Sequence, residues 1–397
     1  MIEHHLKSHL DPNRKHRILS IDGGGIRGVI ALEVLAKVER ELRVQTQKKD
    51  LVLAEWFDFI GGTSTGAIIA AGLSVGMTVN ELQGLYAEHG KRMFMKARML
   101  DRVTRNRYCH RQLEGMLKET FGASTNLGSS RIKTLLMLVL RNATTDSPWP
   151  VTNNPNAKFN HRVQTGDENN LDIPLWQLVR ASTAAPTFYM PEQIKIGPKT
   201  HTFVDGALTP YNNPAFMMFL KASLPEYRLN WRTTEEDLLL VSVGTGMQPG
   251  TSPQRKPREM HFLHSAVTVP AALIYSNIVE QDKMCRILGN CLEGDELDLE
   301  IGSLLGNRSP LEKKLFTYVR YNIDLSEGGL AGVGCEHLAH LPLNRLDAVE
   351  LMAPMRDVGA ALADAKVKWD HFEAHCPFSD LAATLSGKEN AVPEEGL

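Results

Sequence analysis

Apolar residues along this chain fall into short runs that end at glycine, separated by stretches with helical spacing. Residues 17–21, Arg-Ile-Leu-Ser-Ile, read as a buried strand that stops at Gly23-Gly24-Gly25. From about residue 26 to residue 43 the period changes. Ala31, Leu35, Val38 and Leu42 share one face while Glu33, Lys37, Arg40 and Glu41 lie elsewhere, which predicts a helix packed on a core. A second strand at residues 57–60 enters the turn Gly61-Gly62-Thr63-Ser64-Thr65-Gly66, and an apolar helix at 67–75 leaves it. Further buried strands are predicted at 132–141, 201–204 and 238–243, and a helical pattern at 347–372.

Strand, glycine turn and helix in succession predict an α/β fold with parallel strands. Residues 248–258, with Pro249, Pro253 and Pro257 among Arg255, Lys256 and Arg258, read as a linker or surface loop. The expected organisation is a flexible segment at 1–16, a catalytic domain at 17–250, a mainly helical C-terminal extension packed on the core at 251–380, and a disordered tail at 381–397.

Composition narrows the function classes. With 43% hydrophobic and 23% charged residues in 397, the chain buries enough surface to need no disulfide or metal staple. A net charge of −2 gives no overall attraction to a nucleic acid polymer. The five cysteines (Cys109, Cys285, Cys291, Cys335, Cys376) form no C-x-x-C pair. The fourteen histidines show no H-E-x-x-H spacing, and neither metal nor cofactor is expected. Residues 1–16 are polar and His-rich without a secretory h-region, and no run of ~20 apolar residues occurs. A cytoplasmic protein with peripheral membrane contact is the expectation.

Three motifs carry chemistry. Gly62-Thr63-Ser64-Thr65-Gly66 is a G-x-S-x-G set between a strand and a helix, where flanking glycines permit the sharp turn that lifts a serine hydroxyl off the backbone. An ordinary glycine turn would give the same letters, but the strand–turn–helix setting favours a nucleophile. Asp22-Gly23-Gly24-Gly25-Ile26-Arg27-Gly28 exposes backbone N–H groups that an oxyanion can approach, with Arg27 adding positive charge. Gly23, Gly25 and Gly28 also satisfy G-x-G-x-x-G. A dinucleotide site would want an acid at the end of a second strand, whereas Glu39 and Glu41 fall inside the predicted helix. Asp205-Gly206-Ala207 follows the apolar run Thr202-Phe203-Val204 and is by itself a common turn.

Taken in order, the three motifs resemble the patatin-like phospholipase family. Arg180-Ala181-Ser182-Thr183-Ala184-Ala185-Pro186-Thr187-Phe188 and the close of 238–243 in Gly244-Thr245-Gly246 are similar to that family too. The resemblance covers about residues 17–250. It implies a three-layer α/β/α sandwich and a lipid acyl hydrolase working through a Ser–Asp dyad, with Ser64 as nucleophile and Asp205 as base. Amides around Gly23, Gly24 and Gly25, helped by Arg27, would form the oxyanion hole. His261, His264, His337 and His340 follow Asp205, so chain order alone also permits a Ser–Asp–His triad. A dyad implies a pH profile without the acid limb near 6.5 that a histidine would set.

Residues 91–108 hold Lys91, Arg92, Lys96, Arg98, Arg102, Arg105 and Arg107 against one acid, Asp101, with methionines interleaved. A solvated surface helix is the plain reading. A lid on anionic lipid, with Lys96, Arg98, Arg102 and Arg105 in contact, is the functional one. The expected partner is a membrane phospholipid. Two alternatives keep the dyad: a patatin-like effector of bacterial antiphage defence switched on by a cyclic nucleotide, or an esterase or thioesterase acting on soluble acyl substrates.

Overall fold

The leucine- and valine-rich runs of the chain assemble into one sheet. In the computed structural model, which describes residues 6–93, 108, 110–160, 169–248, 262–306 and 310–376, it has nine strands. They are β1 (His16–Ile21), β2 (Phe59–Thr63), β3 (Leu135–Asn142), β4 (Ser147–Thr152), β5 (Glu192–Ile196), β6 (Lys199–Asp205), β7 (Leu238–Val243), β8 (Asn290–Glu293) and β9 (Thr317–Tyr321). The order is β5-β6-β3-β2-β1-β7-β9-β8, with β4 also on β3. The block from β3 through β8 is parallel, as predicted, while β4, β5 and β6 join by antiparallel pairing.

One detail of the register brings the site together. β2 pairs with β3 up to Thr63 opposite Val139, and β6 pairs with it from Asp205 opposite Leu140. β4 spans both stretches of β3 from the other edge. β2 and β6 therefore lie end to end on the same edge of β3, and their C-terminal ends meet. Ser64 and Asp205, 141 positions apart, become neighbours by register.

Successive side chains of these strands point to opposite faces, so the core divides in two. Leu19, Leu136, Leu138, Leu140, Val241 and Tyr321 belong to one cluster, and Ile18, Leu135, Met137, Val139, Leu240 and Tyr318 to the other. On the first face pack helices α1 (Gly28–Thr46), α2 (Thr65–Ser74), α3 (Val79–Met93), α4 (His110–Phe121), α5 (Leu175–Ser182) and α8 (Met352–Lys366). On the second pack α6 (Ala215–Ser223) and α7 (Phe262–Leu288). Helices on both faces give the α/β/α layering.

Element boundaries depart from the periodicity in instructive places. The helix expected at 26–43 opens with a 3-10 turn, Gly25–Arg27, before α1. The strand expected at 57–60 starts at Phe59 and runs through Gly61 and Gly62, because Leu53–Trp56 forms a helical turn and Phe57 is the extended link after it. Within 347–372, α8 is flanked by the short turns Val349–Leu351 and Asp370–Glu373. Among the described residues beyond 250, α7 and α8 stand beside two strands, β8 and β9, that join the sheet.

Residues 6–16, assigned to a flexible segment by composition, are held instead. Leu6 is buried, His9 and Arg14 reach the carboxylate of Asp58, and His16 stacks on Trp231. Lys96, Arg98, Arg102, Arg105, most of the 248–258 loop and the 381–397 tail lie outside the described residues.

Candidate active site

Ser64 sits between β2 and α2 with φ +55° and ψ −121°, a backbone conformation that costs a side-chain-bearing residue about 1–3 kcal/mol. Two neighbours hold it there. Its N–H donates to Ser182 Oγ at 2.9 Å, and the Ser182 hydroxyl donates to the Val139 carbonyl at 2.6 Å. Behind it, Gly66 lets α2 press onto the end of β1. A Cβ at that position would collide with the Ile21 carbonyl oxygen and come within 2.7 Å of that of Asp22.

The Ser64 hydroxyl donates to Asp205 Oδ2 at 2.8 Å, and Asp205 Oδ1 accepts from the Ala207 N–H at 2.8 Å. Asp205 is 2% exposed. Burial pushes its carboxyl up to about 6, against the opposing pull of the Ala207 amide, the Ser64 hydroxyl and the Arg180 charge. A serine joined to a carboxylate with raised basicity can be deprotonated as it attacks a carbonyl. No histidine with a described side chain hydrogen-bonds to either residue. His340 Nδ1 instead meets the His337 carbonyl at an exposed position. The side chains of His261 and His264 lie outside the described residues.

The glycine run leaves β1 at Asp22 and lies against this elbow. A Cβ on Gly23 would be 3.2 Å from the Thr63 carbonyl oxygen, and one on Gly28 would be 2.5 Å from Thr65 Oγ1. Gly23 is pinned on both sides. Its N–H donates to the Asn212 carbonyl at 3.1 Å, and its own carbonyl accepts from Thr245 Oγ at 3.0 Å and Asn212 Nδ2 at 3.3 Å. Gly25 takes φ +60°, and Ile26 N–H donates to the Leu346 carbonyl at 2.9 Å. Among the described residues the amides of Gly24 and Gly25 donate no hydrogen bond. Two unspent donors in a loop that lies against the Ser64 turn have the chemistry to bind an oxyanion.

Arg27 turns back on the loop, its Nε donating to the Gly24 carbonyl at 3.4 Å. Burial lowers its guanidinium to about 10 while Asp22 opposes the fall, so it stays charged at neutral pH. The dinucleotide alternative has no support here. Glu39 lies on α1, bonded to Arg43 and to the Val79 amide, and the second strand delivers Ser64 rather than an acid.

Sequence reasoning left Ser182, Asn212, Thr245 and Leu346 without roles, although Ser182 and Thr245 stand in stretches noted for resemblance. Removing the Ser182 hydroxyl should leave the Ser64 N–H without its acceptor at a strained turn. We expect Ser182→Ala to lower kcat on a short acyl ester about tenfold with KM little changed, and stability by about 1 kcal/mol. Steady-state kinetics with a thermal melt checks both. A wild-type kcat would show that the elbow holds itself.

A family model described as patatin-like phospholipase matches residues 19–219, about half of the chain. The chain is 30% identical over 241 residues to an intracellular phospholipase A2 of Caenorhabditis elegans, covering 60% of this chain and 20% of that protein. It is 28% identical over 233 residues to a cGAMP-activated phospholipase of Escherichia coli (strain TW11681), covering 58% and 62%. It is also 28% identical over 269 residues to a probable inactive patatin-like protein 9 of Arabidopsis thaliana, covering 63% and 66%. The matches thus span between a fifth and about two thirds of these relatives. With the motifs, their register and the matched segment in agreement, this chain belongs to the patatin-like phospholipase family.

Proposed function

We propose that the protein is a lipid acyl hydrolase that cleaves fatty-acyl esters of membrane phospholipids through an acyl-enzyme on Ser64, with Asp205 as base. The observation that carries the reading is the direct 2.8 Å hydrogen bond from Ser64 Oγ to a buried carboxylate. Asp205 takes the hydroxyl proton as Oγ attacks the ester carbonyl carbon, and the carbonyl electron pair moves onto oxygen. The Gly24 and Gly25 amides meet that oxyanion, with Arg27 steadying the loop. Collapse of the intermediate expels the lysolipid alkoxide, which takes the proton back from Asp205. Water, deprotonated by the same carboxylate, then attacks the acyl carbon; the bond to Oγ breaks, Ser64 takes the proton back from Asp205, and the fatty acid leaves.

Phospholipid vesicles assayed for free fatty acid test the substrate class. Wild type should release fatty acid from vesicles and Ser64→Ala should not. Hydrolysis of a soluble ester with none from vesicles would replace the reading with a soluble-substrate esterase. The E. coli relative's cGAMP activation supports a second reading, a nucleotide-gated enzyme. Vesicle hydrolysis that begins only on adding cGAMP would favour it.

A further inference from the structure

The carboxylate of Asp22, immediately before the glycine run, is 1% exposed and is gripped by a residue from the far end of the chain. Arg320 on β9, also 1% exposed, donates from Nη1 to Asp22 Oδ1 at 2.9 Å and from Nη2 to Oδ2 at 2.6 Å. The same Nη1 donates to Ser242 Oγ on β7 at 2.7 Å. Arg320 Nε lies 3.9 Å from Asp282 Oδ2, and Asp282 in turn holds Arg286 by two hydrogen bonds of 2.9 and 2.7 Å. Charges of alternating sign therefore run from the glycine loop into α7.

A buried ion pair is seldom the most stable filling for a core, so its position bears on its use. A glycine run has no side chains with which to fix its own path. Besides the bonds from Asn212 and Thr245 that pin Gly23 and that of Arg27 to Gly24, it is held at its two flanks. At one, Asp22 is fixed through its N–H to the Val243 carbonyl at 3.0 Å and through its carboxylate to Arg320. At the other, the Ile26 N–H is held by Leu346. Both Arg320 and Leu346 lie beyond the segment that matches the family model.

We infer that Arg320 is a positioning residue for ester hydrolysis, its fork on Asp22 holding the Gly23–Gly25 backbone where free amides meet the oxygen of the tetrahedral intermediate. The inference rests on the acyl-hydrolase reading of Ser64 and Asp205. Through Arg320 the C-terminal part contributes to the chemistry as well as to the fold.

Arg320→Lys keeps the charge and loses the fork, and Asp22→Asn keeps the shape and loses the charge. Each should lower kcat on p-nitrophenyl butyrate by about ten- to a hundredfold with KM within about threefold, because a loop misplaced by about an ångström loses stabilisation made only in the transition state. Affinity for an alkyl trifluoromethyl ketone, whose serine adduct carries an oxyanion, should fall in parallel with kcat. Affinity for the product fatty acid should hold. The double variant should lose no more than the worse single one, since both break one contact.

A lower melting temperature with unchanged kcat would make the pair purely structural, and equal losses for ketone and fatty acid would mean general disruption. Either overturns the inference, as would failure of both variants to fold. Ser64→Ala assayed in parallel separates the two readings. Activity surviving in Ser64→Ala defeats the dyad itself, whereas a silent Ser64→Ala beside a full-rate Arg320→Lys defeats only the role of Arg320.

Discussion

Ser64→Ala should reduce turnover of a short acyl ester by about 10⁴-fold or more while leaving a folded protein. The substitution removes one oxygen from a half-buried turn and opens no core cavity. The strained backbone and the Ser64 N–H bond to Ser182 persist, because neither depends on the hydroxyl. Asp205 loses one of its two hydrogen-bond donors, so a melt lowered by a few degrees is expected rather than unfolding. Any remaining rate would come from the oxyanion donors acting on bound water. A purified Ser64→Ala protein that hydrolyses the ester at the wild-type rate would remove serine from the mechanism.

Asp205→Asn should be nearly as damaging, and it makes a second demand on stability. An amide cannot accept the serine proton, so kcat should fall by about 10³–10⁴-fold. In the wild type, activity needs the ionised carboxylate and should fade as pH drops through about 6. The acid limb that a histidine-free site was expected to lack therefore returns, set by the burial of Asp205. The sign for stability is opposite. A carboxyl raised from 3.8 to about 6 by folding binds its proton more tightly in the native state. Stability contributed by that proton is full below about pH 4, declines as pH rises toward 6, and leaves an ionised Asp205 costing up to about 3 kcal/mol above it. Asp205→Asn should thus be inactive yet at least as stable as wild type at pH 8, a trade of stability for activity. An active Asp205→Asn, or a flat rate profile between pH 5 and 8, would show that another group takes the proton.

What could be read from sequence was local. The run at 238–243 matches β7 residue for residue, and Gly62–Gly66 announced the elbow because strand, glycines and apolar helix are contiguous. Three of the strands, β4, β5 and β8, were missed for physical reasons. β4 contains Pro148 and Pro150, which demote a run unless, as here, it is an edge strand. β5 is half exposed and mixes Glu192 and Lys195 with two isoleucines. β8 is four residues between Gly289 and Gly294, too short to show a period. The pairing of Ser64 with Asp205 was legible only through resemblance, because the end-to-end meeting of β2 and β6 on β3 is a matter of register. Arg320 left a fainter trace, a lone cation in the otherwise uncharged Thr-Tyr-Val-Arg-Tyr, but nothing in that run points to Asp22 as its partner.

The origin of β9 late in the chain sets an order on assembly during synthesis. A nascent chain that has reached residue 250 already carries Ser64, Asp205 and all three glycines, but Asp22 lacks the fork of Arg320 and β7 has a bare edge. Enclosing a carboxylate that lacks its hydrogen-bonded partner costs several kcal/mol, which works against β1 and β7 closing around it. Docking of β9 removes both obstacles at once, completing the sheet and neutralising the charge. On the acyl-hydrolase reading, the glycine loop beside Ser64 takes its final path only once residue 320 has been made.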